Sequence, residues 1–381
     1  MQTTLEFLSR VKPPTTPALV VRRSVMQANL AAMQAACAAR GVRLRAHGKM
    51  HKCSALARQQ VALGAVGLCC QTVGEAEAFV AGGIGDVMVT APVPPWGWAR
   101  LAALALKANV AAVADSEAQL LAASAALQAA NVVLQSANVA LQAANVALQA
   151  AGAGITIFVD VDPGMGRAGV APEAAAALAG RIAGMPGLRY GGIQAYCGHH
   201  QHMMPAQRAA AHAGWTTRLA ALVAALTAAG LAPPQVTGGG TGTAHMDLAA
   251  GVYTELQAGS YAFMDVEYGD LGDLPFAPAL YLAASVVSAN HAGHVTCDAG
   301  HKALHPNGPG QRVVHPAGSA YRPAGDEHGA ILPPGGAAEG DLVWLQPGHV
   351  DPTIALHDAV FVADEDGRLE RWAIDARRVS G

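Results

Sequence analysis

The segment RAHGKMHKC places Lys49 and Lys52 among histidines, and a second segment, TGGGTGT, covers positions 237–243. A lysine amine forms a Schiff base with an aldehyde, whereas glycine amides and threonine hydroxyls can surround a phosphate. Pyridoxal phosphate carries both groups, so the two segments together predict a site for this cofactor. Side chains alternate along an extended chain, so Lys49 shares a face with His47 and His51 while Lys52 points away. We therefore expect Lys49 to hold the cofactor.

A different chemistry is available in the segment PGHVDPT near the C-terminal end. In an extended chain His349 and Asp351 would point to the same side, and their nitrogen and oxygen donors suit a hexacoordinate divalent ion such as Mn or Mg, with waters completing the shell. The flanking prolines and glycine would also suit an ordinary surface turn. Two ligands alone are weak evidence, so the metal hypothesis depends on its context.

Eight β-favouring segments, each followed by an Ala-rich helical stretch, alternate through the first 260 residues. Eight such units predict an α/β fold, the (β/α)8 barrel, whose active site lies at the C-terminal ends of its strands. An open doubly wound sheet is the alternative. The segments are Arg43 to His47, Gly67 to Cys70, Val87 to Thr90, Val110 to Ala114, Ile155 to Asp160, Gly191 to Tyr196, Gln235 to Gly239 and Thr254 to Gly259.

The residues just beyond these strand ends form the candidate site. Loops after the seventh and eighth strands are the usual phosphate site of this barrel, although a run of three glycines also suits a tight turn. The candidates, in chain order, are Lys49, Gln71, Arg167, Gln194, Tyr196, His202, the loop with Gly239, Gly240 and Thr241, and the segment with Gly259, Ser260 and Tyr261.

After Gly269 the pattern changes to short β-like runs separated by glycine and proline, and the pair Asp366-Gly367 between two apolar runs predicts a hairpin. We expect a barrel over residues 23–268. A β-rich domain would comprise residues 1–22 and 269–381 and carry the metal motif.

Seven-residue repeats begin at Leu127, Leu134, Leu141 and Leu148. Their Ala, Leu and Gln content predicts one long helix within 118–151, with the leucines along one stripe. The stretch has no charged residue from 118 to 159, but its regular Gln and Asn argue against a membrane span.

Composition excludes several classes of function. Of 381 residues only 13% are charged and the net charge is −3, so no basic surface for nucleic acid or anionic lipid is expected. The six cysteines form no CxxC pair, which argues against a zinc ribbon and a disulfide framework. We expect a reducing compartment, the cytoplasm, because the first residues also lack the apolar core of a signal peptide.

Taken together, RAHGKMHKC, CCQTVGEAEAF, VDPGMGRAGV, QAYCGHHQH, TGGGTGT, VYTELQAGSYAFMD, DEHG and PGHVDPT resemble the metal-activated, pyridoxal phosphate-dependent D-threonine aldolases. The resemblance runs from about Pro17 to the C-terminus, with the heptad helix as an extra. It implies the alanine racemase-like fold, a cofactor-binding barrel plus a β domain, and a homodimer.

The resemblance also implies residue roles. Lys49 would be the Schiff-base lysine, with Tyr196 near the pyridine nitrogen and Gln71 and Arg167 beside the ring. His202 would lie beside a metal-bound water. The phosphate would contact Gly239, Gly240, Thr241, Gly259, Ser260 and Tyr261, and the metal ligands would be His349 and Asp351.

The reaction implied is retro-aldol cleavage of D-threonine and related D-β-hydroxy-α-amino acids to glycine and an aldehyde. The substrate would form a Schiff base with the cofactor while the metal activates the β-hydroxyl. Two departures from the family pattern stand out. Ala46 occupies a position where the family usually has proline, and His199 and His200 replace smaller residues, which could reshape substrate selectivity.

Three other functions remain open. The first is a D-serine or 3-hydroxy-D-aspartate dehydratase on the same scaffold. Eukaryotic D-serine dehydratases of this fold have a His-x-Cys pattern that makes a zinc site, whereas this chain has the harder oxygen ligand Asp351. A non-catalytic pyridoxal phosphate carrier would lack the β domain and the metal motif. A racemase would need a second acid or base, for which Tyr321 is the tyrosine available after Tyr281.

Overall fold

The computed structural model describes residues 3–143 and 154–377, without the side chains of 134–143. Backbone contacts divide the chain into two compact units, which we call the barrel unit and the sheet unit. Of the described residues, the barrel unit contains 36–49, 57–143 and 154–258, and the sheet unit contains 3–35, 50–56 and 259–377.

The described residues form eleven α-helices. They are α1 (Thr4–Arg10), α2 (Arg23–Ala38), α3 (Ser54–Ala62), α4 (Val73–Ala81), α5 (Gly97–Leu104), α6 (Glu117–Ala143), α7 (Ala175–Ile182), α8 (Pro205–Ala228), α9 (Ala244–Ala250), α10 (Val266–Gly269) and α11 (Val350–Ile354).

The barrel unit contains eight parallel strands, and pairing of the last with the first closes the barrel. This confirms the predicted (β/α)8 architecture and excludes the open doubly wound sheet. Strands covered on both faces read as nearly continuous apolar runs, which is why the sequence located them. They are β2 (Arg43–His47), β3 (Gly67–Cys70), β4 (Asp86–Val89), β5 (Asn109–Ala114), β6 (Ile155–Asp160), β7 (Leu188–Ala195), β8 (Gln235–Gly238) and β9 (Glu255–Leu256).

The register between β6 and β7 shifts by one residue between Ile157 and Phe158. Gly192 lies at this irregularity with φ +120°, and a Cβ there would collide with the carbonyl oxygen of Gln235 in β8. Only glycine therefore allows β7 to bend and still pair with both of its neighbours.

The sheet unit holds a nine-stranded sheet. Its strands are β1 (Ala18–Arg22), β10 (Leu280–His291), β11 (His294–Cys297), β12 (Arg312–His315), β13 (Ala320–Pro323), β14 (Gly329–Leu332), β15 (Leu342–Gln346), β16 (Ala359–Ala363) and β17 (Leu369–Ala373). Their order is β13-β14-β11-β10-β1-β16-β17, with β15 pairing both β10 and β12. The first strand of the chain lies inside this sheet, antiparallel to β10 and parallel to β16.

The predicted β-rich domain and its hairpin are both present. Gly367 has φ +88° and its amide donates to the carbonyl oxygen of Asp364 at 2.9 Å, which turns β16 into antiparallel β17. Val20, Tyr281 and Trp344 pack with Phe7 in the core of this unit.

The unit boundaries differ from those expected from sequence, because residues 23–35, 50–56 and 259–268 group with the sheet unit. The Asn29 side chain donates to the carbonyl oxygen of Ala277 at 2.8 Å and accepts from its amide at 3.0 Å. The amide of Ser54 donates to Asp375 at 2.9 Å. These bonds join positions more than 200 residues apart, so no local pattern in the sequence signals them.

The heptad segment begins as one helix, since α6 continues unbroken to Ala143. Leu127 is fully buried, whereas Val132 and Val133 are 61% and 70% exposed. The side chains of Leu134 and Leu141, and the whole repeat at Leu148, lie outside the described residues. Among the helices described, none combines the length and apolar content that crossing a bilayer requires.

Candidate functional site

Lys49 lies immediately after β2, in a 3-10 turn over Gly48–Met50. Its amide donates to His47 Nδ1 at 3.4 Å, and His47 Nε2 lies 3.1 Å from the Thr90 hydroxyl. The chain is therefore no longer extended at Lys49, so the strand-alternation argument does not hold beyond His47. The two lysines differ in backbone conformation instead, since Lys52 has φ +50°, in the left-handed region, and Lys49 lies in the 3-10 turn.

Two further candidates lie beyond β3 and β6 in the barrel unit. The amide of Gln71 donates to Glu75 Oε2 at 2.6 Å, which fixes the start of α4. The guanidinium of Arg167 lies 5.6 Å from the ring centre of Tyr196, a cation–π contact that pairs two of the predicted cofactor residues.

The loop that carries Arg167 is organised by one carboxylate. Asp162 accepts the amides of Gly164, Met165 and Gly166 at 2.7–3.2 Å. Although burial acts in the opposite direction, these amides hold the pKa of Asp162 below its usual value. The loop therefore has a fixed shape around an ionised carboxylate.

The turn after β7 exposes His202 to solvent and leaves Tyr196 half-buried. An exposed imidazole near the C-terminal end of a barrel strand can accept or return a proton at neutral pH. The His202 side chain is thus accessible to solvent, as the role predicted for it from the sequence requires.

The TGGGTGT run forms a loop that only glycine permits. Gly239 has φ +70°, and a Cβ there would lie 2.5 Å from Asp247 Oδ2. A Cβ on Gly240 would lie 2.5 Å from Gln201 Oε1. Because Asp247 and Gln201 hold the loop from behind, its bare backbone fits the close approach of a phosphate at the end of β8.

The barrel interior contains a buried polar layer that the sequence analysis did not identify beyond Gln194. Gln194 donates to Asp160 Oδ1 at 2.9 Å and accepts from Gln257 at 3.1 Å. Burial raises the pKa of Asp160 to about 6, opposed by the Gln194 hydrogen bond and reinforced by Asp115. These partners come from separate strands, so no spacing in the sequence signals the layer.

Gly259, Ser260 and Tyr261 belong to the sheet unit, where Ser260–Ala262 forms a 3-10 turn. Ser260 and Tyr261 are buried, and the Tyr261 ring packs 5.7 Å from that of Phe276.

The proposed metal ligands His349 and Asp351 lie at the start of α11, in the sheet unit. His349 is extended and precedes the helix, whereas Asp351 lies in its first turn, so the expectation of one extended segment is wrong. Pro352 explains this difference, since its ring favours the first turn of a helix. His349 Nδ1 lies 3.2 Å from the Asn307 amide nitrogen and 3.7 Å from Glu267 Oε2.

Asp265 joins α10 to this segment. Its two carboxylate oxygens accept the amides of Tyr268 and Val350, both at 2.9 Å. Burial raises its pKa to about 7; the two amides oppose this shift, and the neighbouring carboxylates Asp351 and Glu267 reinforce it. Glu267 and Asp351 thus lie near Asp265, and Glu267 also lies beside His349; carboxylates and an imidazole are donors that suit a hard divalent cation.

Glu267, Asp265 and Asn307 were missed from the sequence because they lie more than 40 positions from His349. The motif VYTELQAGSYAFMD ends at Asp265, but nothing in it marks that carboxylate as a partner of a distant loop.

The chain is similar to known proteins over nearly its whole length. The family model described as alanine racemase, N-terminal domain, matches residues 21–267, and the serine dehydratase domain model matches residues 279–363. The chain is 40% identical to a D-threonine aldolase of Arthrobacter sp., over 96% of this chain and 93% of that protein. It is 36% identical to a 3-hydroxy-D-aspartate aldolase of Paracoccus denitrificans, over 95% and 92%.

The fold of the whole chain is also similar to that of a solved structure. The crystal structure of D-threonine aldolase from Filomicrobium marinum superposes with a TM-score of 0.87 at 34% identity and covers 96% of each chain.

Proposed function

The chain belongs to the alanine racemase N-terminal domain family and is a homologue of D-threonine aldolase, and from this premise we propose that it cleaves D-threonine and related D-β-hydroxy-α-amino acids to glycine and an aldehyde. The observation that carries the proposal is the 40% identity over 96% of the chain, which includes both the barrel unit and the sheet unit.

The glycine loop supports pyridoxal phosphate as the cofactor, because Gly239 and Gly240 pack against Asp247 and Gln201 with no room for a Cβ and leave backbone amides free of side chains for a phosphate. When bound, pyridoxal phosphate withdraws electrons from the amino acid Cα and so makes cleavage at that carbon accessible. We propose that the residues holding it are Lys49, Gln71, Arg167, Tyr196, Gly239, Gly240 and Thr241 of the barrel unit and Gly259, Ser260 and Tyr261 of the sheet unit.

For the metal, we propose His349 and Asp351 as ligands, with the ion being Mn or Mg. The nitrogen and oxygen donors there, with Glu267 Oε2 3.7 Å from His349 Nδ1, support a hard cation rather than a soft one. When bound, such an ion lowers the pKa of a hydroxyl group.

The remaining steps fall to the side chains of this chain. Lys49 supplies the amine that holds the cofactor and, at neutral charge, can take up a proton. We propose that the imidazole of His202 accepts the β-hydroxyl proton, which its exposure allows. Asp162 keeps the loop of Arg167 in one shape, so that Arg167 and Tyr196, which contact each other, would hold the cofactor as a pair.

A dehydratase acting on D-serine or 3-hydroxy-D-aspartate is the alternative, and the match of the serine dehydratase domain model to residues 279–363 favours it. Product analysis separates the two reactions. The enzyme is incubated with D-threonine, D-serine and 3-hydroxy-D-aspartate, each with added Mn and with a chelator. Glycine plus an aldehyde supports the aldolase, whereas pyruvate or oxaloacetate with ammonia would establish the dehydratase.

We also propose a homodimer in the cytoplasm, without a nucleic acid or membrane partner. The net charge of −3 supports this, and so do the six cysteines, which are buried and form no disulfide. Sedimentation of the purified enzyme would test the dimer.

A further inference from the structure

A cluster of metal-binding side chains lies in the barrel unit, behind the glycine loop. Cys197 lies two residues after the end of β7, and His200 lies in the 3-10 turn Gly198–His200 that follows. His212 belongs to α8. Their potential ligand atoms all lie within 4.8 Å of one another, and all three residues are buried.

The two imidazoles face each other through the same ring atom. His200 Nδ1 lies 3.4 Å from His212 Nδ1. In a tetrahedral zinc site with Zn–N bonds of about 2.0–2.1 Å, two ligand nitrogens are separated by about 3.4 Å. The observed separation therefore equals one edge of such a tetrahedron.

A carboxylate orients His212 from the other side. His212 Nε2 lies 2.8 Å from Asp247 Oδ1, while Asp247 Oδ2 accepts the Thr243 hydroxyl at 2.7 Å. Although this contact does not have hydrogen-bond geometry, a negative charge 2.8 Å from Nε2 favours the tautomer with its proton on that atom, which leaves a lone pair on Nδ1. Carboxylate, histidine and metal in this order form a common second-shell arrangement.

We propose that Cys197 Sγ, His200 Nδ1 and His212 Nδ1 bind a zinc-type divalent ion, at a second metal site separate from that of His349 and Asp351. One thiolate and two imidazoles form a softer donor set than the imidazole and carboxylate of the sheet unit, so the two sites select different ions. A water molecule completes the tetrahedron.

Zinc binding at this cluster requires the loss of one thiol proton. Burial, together with the nearby rings of His199 and His212, lowers the pKa of His200 to about 4, so its ring is neutral at pH 7. Burial raises the pKa of the Cys197 thiol. The ion therefore displaces one proton, which leaves the sulfur as the S–Zn bond forms and is released to solvent.

The competing explanation is a hydrogen bond between the two imidazoles, with one Nδ1 donating to the other. That arrangement gives Cys197 no role, whereas a metal ion places its sulfur in the coordination shell. Sulfur coordination is therefore the measurement that separates the two explanations.

The experiment uses the full-length enzyme loaded with pyridoxal phosphate and carrying His349→Ala and Asp351→Ala, so that the sheet-unit ligands are removed. After equilibration with one equivalent of zinc, X-ray absorption at the zinc edge should show one sulfur neighbour at about 2.3 Å. Cys197→Ser and His200→Ala should each weaken zinc binding at least about 100-fold, since even outer partners of metal ligands contribute roughly 10–100-fold.

His199→Ala is the matched control, because His199 is exposed in the same turn and its ring centre lies 4.2 Å from that of His200. It should leave both the sulfur signal and zinc affinity unchanged. A zinc shell of nitrogen and oxygen alone in the protein that retains Cys197 would overturn the proposal, whether or not the Cys197 variant folds. So would equal zinc affinity of folded Cys197→Ser protein and its parent.

Discussion

Lys49 and Lys52 are three positions apart, yet only Lys49 lies in the turn that directly follows a barrel strand. We expect Lys49→Ala to remove the visible absorption of bound cofactor and to lower the rate of cleavage at least about 100-fold. That factor is the lower end of what a positioned proton-transfer group contributes to a rate. Borohydride reduction followed by peptide mapping should place the cofactor on Lys49. Lys52→Ala is the control and should keep both properties; cofactor mapped to Lys52 or Lys302 would refute the assignment.

Asp160 gives a residue-scale prediction for pH. Its pKa is raised from 3.8 to about 6, so the folded state loses stability relative to the unfolded state as the pH rises through that interval. Asp160→Asn cannot ionise, and its Oδ1 can still accept from Gln194. The free energy of unfolding of the variant, relative to wild type, should therefore increase between about pH 4 and pH 6, by at most about 3 kcal/mol.

Urea unfolding at several pH values between 4 and 7.5 measures this difference. A stability difference that stays constant across the range would contradict the raised pKa of Asp160.

Asp265 should act on metal affinity without touching the metal, because it holds the amide of Val350 between His349 and Asp351. We expect Asp265→Ala to raise the Mn concentration needed for half-maximal activity roughly 10–100-fold, the usual effect of outer partners. The control is Asp270→Ala, which removes only an exposed ion pair with Arg312. An unchanged Mn requirement in Asp265→Ala would show that α11 is positioned by other contacts.

At the scale of single elements, the part of α6 with described side chains has one buried face. Leu120 and Leu127 are fully buried, and the Ser124 hydroxyl donates to the carbonyl oxygen of Pro186 at 2.9 Å. Val132 and Val133 are mostly exposed. The contacts of α6 with the rest of the barrel unit are thus established before the repeat that begins at Leu134.

We therefore expect deletion of residues 134–147, two full repeats, to leave turnover per folded molecule within about twofold of wild type. An ideal helix drifts only about 20° per seven residues, so the phase of the helix is nearly kept. Steady-state kinetics and thermal unfolding test this, with deletions of three and five residues as comparison, which should destabilise the protein more. A large loss of turnover in soluble, cofactor-loaded enzyme would show that the repeats shape the site.

The two units carry separate parts of the proposed chemistry, since Lys49 and the glycine loop belong to the barrel unit and His349 and Asp351 to the sheet unit. Chelation should therefore abolish cleavage and leave the visible absorption of the cofactor unchanged, and Mn should restore activity. Full activity of a verified metal-free enzyme would refute the metal requirement. Full activity of Asp351→Ala would refute that ligand.

Across the whole molecule, the sequence predicted what depends on local pattern. The apolar runs predicted the first and last residues of β3 and β6 correctly, and the Asp366-Gly367 pair predicted the last hairpin. Local pattern failed where the chain changes conformation, as in the turn after His47 and at Pro352. It also failed where partners are remote, as with Asp265 and Val350 or Cys197 and His212, because nothing near one residue in the sequence records its spatial neighbour.

The central position of β1 has a consequence for biosynthesis. Ala18 pairs with Ala283 and Leu19 pairs with Val360, so this strand leaves the ribosome long before either neighbour exists. Loop-closure entropy delays such distant pairing, and meanwhile the apolar stretch ALVV has two unpaired edges. A nascent chain in that interval offers a binding site for chaperones and a starting point for aggregation, while the barrel strands can already pair with their sequence neighbours.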